Sequence, residues 1–119
     1  MIDKDYIRKI VDCCNQNPVF QVGIFVKSRD SIFTICGQIN AECGKCGCEI
    51  VINERYGKVR FDNGSIISIC IAEECNIRSR RYNVAMIEKD VRPDIVYDYI
   101  APWVTLKRSE VDIQGLIWV

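Results

Sequence analysis

Val19-Phe20-Gln21-Val22-Gly23-Ile24-Phe25-Val26-Lys27 is almost continuously apolar, too short for a good isolated helix, and rich in β-branched and aromatic side chains. Such a run fits a central strand covered on both faces. Directly downstream, Ser28 to Cys43 carries Ile32, Ile35, Cys36, Ile39 and Cys43 at helical spacing, with Ser28 as a candidate N-cap and Gly44 as a stop. A buried strand feeding an amphipathic helix is half of a βαβ unit. Upstream, residues 3 to 14 predict a helix: Asp3 can cap it, Tyr6, Ile7, Ile10, Val11 and Cys14 form its apolar stripe, and Asn15 to Pro18 end it.

The middle of the chain changes period. Residues 48–54, 58–62 and 65–71 predict strands, joined by a turn at Tyr56-Gly57 and a hairpin at Asn63-Gly64. Residues 72–82 are polar and irregular. Val84 to Ile87 is a short apolar strand ending in Glu88-Lys89-Asp90. Pro93-Asp94 opens a helix through Ile95, Val96, Tyr99 and Ile100 that Pro102 halts, and residues 115–119 predict a last strand. The order α-β-α-β-β-β-β-α-β predicts a single α/β domain over residues 1–119. Its sheet is mixed and largely parallel, flanked by helices, with an inserted antiparallel meander.

Composition narrows the function. Sixteen basic and sixteen acidic residues leave no net charge, so attraction to nucleic acid would have to be local. No signal-like or membrane-spanning apolar run is present, which predicts a cytoplasmic location. Histidine is absent, which excludes Ser-His and Cys-His catalytic pairs and histidine metal ligands. Without an export signal, the eight cysteines are expected to be reduced and to serve largely as small apolar side chains.

Three local features could carry function. Cys43-Gly44-Lys45-Cys46-Gly47-Cys48 has the C-x-x-C spacing and glycines of a zinc knuckle. Cys43, Cys46 and Cys48 would need Cys70 or, for a set completed downstream, Cys75 as fourth thiolate. The plainer alternative is a glycine-rich helix end with incidental thiols. Arg78, Arg80 and Arg81 could fork onto phosphates, including those of nucleic acid, or form a solvated loop beside Glu73 and Glu74. Glu88 and Asp90 could bind a divalent cation weakly, or simply precede a helix N-terminus where negative charge is favoured. Trp103 and Trp118 are expected in the core. Leu116 to Val119 would complete the sheet or offer an edge for self-association.

The run Phe61-Asp62-Asn63-Gly64-Ser65-Ile66-Ile67 resembles an F-x-N-G-S-x-I run of phage terminase large subunits, the DNA-packaging ATPases. There it leads into an arginine-containing loop, a Walker B strand with an acidic pair, and a helix ending near proline. This chain follows with Arg78 to Asn83, Val84 to Ile87, Glu88-Lys89-Asp90 and Asp94 to Pro102. The resemblance spans roughly residues 19–119 and implies a P-loop-NTPase-like core. It departs from the family where hydrolysis resides. No G-x-x-x-x-G-K-[ST] exists; Ile39 to Cys46 is the nearest approach. Glu88 falls at the magnesium-binding position, and Lys89 at the position of the glutamate that orients water. A charged lysine cannot accept a proton. No catalysis, and no ATP or magnesium, is therefore expected. The resemblance implies instead a phage or prophage protein, a packaging accessory or decoy, acting by binding nucleic acid or a protein partner. Alternatives are a small anti-defence or protein-interaction module and a four-cysteine zinc protein that binds nucleic acid.

Overall fold

The computed structural model describes residues 2–43, 49–52, 56–73, 82–104 and 115–119. Its elements are helix α1 (Lys4–Gln16), strand β1 (Gln21–Val26), helix α2 (Arg29–Cys43), β2 (Glu49–Ile52), β3 (Tyr56–Arg60), β4 (Ile66–Ile71) and β5 (Val84–Ile87). A helical stretch, α3, then runs through Pro93–Ile95, Val96–Ile100 and Ala101–Trp103, and β6 (Gly115–Trp118) follows. The strands form one sheet in the order β2-β3-β4-β1-β5-β6. β4, β1, β5 and β6 are parallel, while β2, β3 and β4 make an antiparallel meander.

β1 sits between β4 and β5 and is buried from Val22 to Val26. Side chains alternate across a strand, so Val22, Ile24 and Val26 face the larger core shared with α1 and α2. Phe25 faces a smaller core built from Tyr82, Ala85, Ile87, Val91, Val96 and Ile100, beneath α3. Gly23 lies on that second face because the Tyr82 ring occupies its side-chain space. A Cβ there would meet Tyr82 Cδ1 at 2.9 Å. Tyr82 stands edge-on to Phe25, ring centroids 5.5 Å apart. Each fully buried Ile, such as Ile24, contributes about 1.5–3 kcal/mol through removal of apolar surface from water.

α1 begins where Asp3 accepts a hydrogen bond from the Asp5 amide at 2.8 Å. It runs two residues past its predicted end because a remote side chain satisfies its last carbonyls. The Asn63 amide donates to the Cys14 carbonyl at 2.6 Å, and to those of Asn17 (3.3 Å) and Asn15 (3.4 Å). The Ser65 hydroxyl donates to the Asn17 carbonyl at 2.6 Å and accepts from the Phe20 amide at 2.9 Å. This cap forces the chain through Val19, which adopts φ +56°. That conformation is costly for a β-branched residue, so β1 starts two residues later than the apolar run does.

The β3–β4 hairpin differs from the expected two-residue Asn-Gly turn. Phe61 N–H donates to the Ser65 carbonyl at 2.9 Å, closing a three-residue loop with Gly64 at φ +88°. Tyr56-Gly57 is not a turn either; both residues pair within β3, with Cys70 and Ile69. Glycine is needed there because a Cβ at position 57 would lie 2.6 Å from Cys36 Sγ on α2. Pro102 does not end α3, which closes one residue later in a tight 3₁₀ turn. Trp118 is half-buried against the smaller core. No helix among the described residues is long and apolar enough to cross a membrane.

Gly57→Ala should therefore destabilise the fold by about 1–3 kcal/mol through overpacking. Combined with Cys36→Ala it should show a favourable coupling above about 0.5 kcal/mol in a double-mutant cycle. Denaturant unfolding of the four proteins checks this; strict additivity would contradict the contact.

Candidate functional site

In an open α/β sheet, ligand sites form beyond the carboxyl ends of parallel strands, where consecutive connections leave on opposite faces. Here that point lies between β1 and β5. β1 continues into α2 over the larger core, and β5 continues toward α3 over the smaller one. Glu88 stands there, one residue beyond β5, with its backbone amide donating to the Phe25 carbonyl at 3.0 Å. Its side chain reaches across the gap. Oε1 accepts from the Lys27 backbone N–H at 2.9 Å, and Oε2 accepts from the Ser31 hydroxyl at 2.9 Å.

Both carboxylate oxygens are thus directed at the start of α2, where the helix dipole favours negative charge. Only Lys27 and Ser28 separate β1 from α2. A phosphate-wrapping connection needs about eight residues with several glycines between strand and helix. The β1–α2 connection is too short to turn a series of amides onto a polyphosphate.

The surroundings are charged and exposed. Lys27 Nζ pairs with Glu73 at 3.3 Å, joining the ends of β1 and β4. Arg92 grips Asp94 through Nε at 3.2 Å and Nη2 at 2.6 Å. Hydrogen bonding from Arg92 lowers the Asp94 carboxyl below its usual range. Asp90 is exposed in the turn closed by the Val91 amide and the Glu88 carbonyl at 3.0 Å. Glu88 and Asp90 therefore share a strand end, but Glu88 is committed to α2. Arg78, Arg80 and Arg81 lie outside the described residues.

The cysteine cluster is divided. Cys46, Cys48 and Cys75 also lie outside the described residues. Cys43 is buried in the larger core at the end of α2. Cys70 packs against the smaller core on the other side of the sheet, which separates it from Cys43. Among the described residues, no three of Cys, Asp or Glu are gathered in a way that could hold a metal ion. Cys13 and Cys14 instead join Cys43 in one apolar cluster. Burial, and then the neighbouring Cys13 and Cys43 thiols, push the Cys14 thiol well up from its ordinary value of 9.0. A thiol kept neutral in this way behaves as a small hydrophobe.

The F-x-N-G-S run also takes a structural role, since Asn63 and Ser65 cap α1. The residues overlooked in the sequence were Lys27, which acts through its backbone N–H, and Ser31. A serine in the first turn of a helix gives no sign that its partner lies 57 residues away.

Glu88→Ala would exchange the Lys27 amide's carboxylate acceptor for water and should cost about 0.5–1.5 kcal/mol. Ser31→Ala should cost less and add little on top of Glu88→Ala, as denaturant titration will show. The Cys14 shift gives a pH signature. Its folded value is raised, so its stabilisation is complete below the unfolded value near 9.0 and fades as pH rises above it. The stability gap between wild type and Cys14→Ala should therefore narrow from about pH 9 upward, measurable by urea unfolding across pH.

Set against known proteins, the chain matches no family model, no curated protein and no solved structure.

Proposed function

We propose that this chain is a non-hydrolytic, terminase-like α/β domain of phage or prophage type that works by binding, as a packaging accessory or decoy, with nucleic acid as the favoured partner. The observation that carries this reading is the engagement of Glu88. On the resemblance, Glu88 falls where a Walker B strand presents its magnesium ligand, and here its carboxylate accepts from Lys27 N–H and the Ser31 hydroxyl.

Arg78, Arg80 and Arg81 fall between the end of β4 and Tyr82, downstream of the Lys27–Glu73 pair. Guanidinium groups at this spacing suit backbone phosphates, and the neutral chain would hold them weakly and in a salt-dependent way. A second reading, a protein-interaction or anti-defence module, draws support from the exposed Val51, Ile52 and Tyr56 at one side of the sheet.

With ATP and magnesium, the purified chain should release phosphate no faster than buffer. Labelled DNA should bind at low salt, and Arg78/Arg80/Arg81→Ala should reduce affinity at least tenfold, about 1.4 kcal/mol. Turnover abolished by Glu88→Gln would overturn the proposal. Equal DNA binding by wild type and the triple variant would remove nucleic acid as the partner.

A further inference from the structure

The strongest unexplained feature is a concentration of exposed apolar side chains at the β2 edge. Among the described residues β3 is the one sheet neighbour of β2, and none of the described strands pairs with its far side. Edges of this kind are templates for pairing with another chain. Val51 and Ile52 remain 39% and 40% exposed in a sheet whose central strands are sealed. Paired residues share a face. Val51, opposite Lys58, therefore lies on one face of the sheet, and Ile50 and Ile52, opposite Val59 and Gly57, lie on the face covered by α2.

Phe33, 47% exposed, belongs to the same edge. Gln38 and Glu42 mark the flank of α2 that meets α1, through the Ile2 backbone and through Arg8. At about 100° per residue, Phe33 lies about 140° from Gln38 and about 180° from Glu42. It is thus on the flank of α2 away from α1, toward β2. Its neighbour Ile32 packs above Gly57, the residue paired with Ile52.

We propose that β2 pairs antiparallel with β2 of a second copy about a two-fold axis at Val51, joining two six-stranded sheets into one of twelve. The sequence of the edge is self-complementary and fits this occupant. For the covered faces of both copies to remain continuous, facing residues must have the same parity. Placing Val51 opposite Val51 then sets Ile50 opposite Ile52 of the other copy, twice. Every cross-strand pair within the triplet is aliphatic, and such pairs are favourable. The next register in step sets Glu49 against Val51, exchanging aliphatic pairs for a charged one. A two-fold contact is isologous, so the same Phe33 and Ile52 are covered on both sides. Zero net charge leaves no overall repulsion between copies. β6, at the opposite edge, has its side chains half-buried and presents less apolar surface.

Sedimentation equilibrium at about 100 µM should give twice the chain mass of 13.7 kDa for the wild type. Val51→Lys and Val51→Glu place like charges face to face on the axis, so each alone should sediment as a monomer. An equimolar mixture of the two should regain the dimer mass, because Lys then faces Glu. Unchanged far-UV circular dichroism in both variants separates lost pairing from lost folding. A monomeric wild type would overturn the proposal. So would a wild-type dimer that survives both substitutions, or one that the mixture fails to restore.

Discussion

Everything in this fold depends on β1 having no solvent-facing side. Hydrogen bonds to β4 and β5 close its two edges, and two separate apolar clusters close its two faces. A strand so enclosed cannot carry charge and cannot slip register, because a one-residue shift would exchange every side chain between unlike cores. The larger core accepts Val22, Ile24 and Val26 from it, while the smaller needs a glycine at 23 to admit the Tyr82 ring. Helices, meander and later strands are arranged around that requirement.

The ends of β1 are then secured by polar contacts from distant sequence. At its start, Asn63 and Ser65 satisfy the carbonyls of the α1 terminus and the Phe20 amide, at the cost of the strained Val19. At its finish, Glu88 satisfies the Lys27 amide and the Ser31 hydroxyl. Asn63 and Ser65 at one end, and Glu88 at the other, do comparable work on one strand. At both ends, polar side chains from distant sequence are part of the framework.

Much of the architecture was legible in the sequence, because burial writes itself into periodicity. The unbroken run 19–27 and the stripe Ile32-Ile35-Cys36-Ile39-Cys43 gave β1 and α2 to within two residues. What misled were positions governed by partners far along the chain. Gly57 reads as a turn residue, yet its lack of a side chain serves a thiol 21 residues earlier. Asn63-Gly64 reads as a tight turn, yet Asn63 is engaged in capping α1 and the loop is longer. The candidate site was half visible. Glu88 stood out as an acid at a strand end, but nothing local disclosed that a backbone amide and a serine hydroxyl would claim both of its oxygens.

The engagement of Glu88 is most directly tested by amide hydrogen exchange at Lys27, whose N–H lies in an exposed link between strand and helix. If the Glu88 carboxylate accepts that hydrogen bond in solution, the Lys27 amide will be strongly protected in the wild type and will exchange far faster in Glu88→Ala. An unprotected Lys27 amide in the wild type would show a carboxylate at liberty for chemistry and contradict the account.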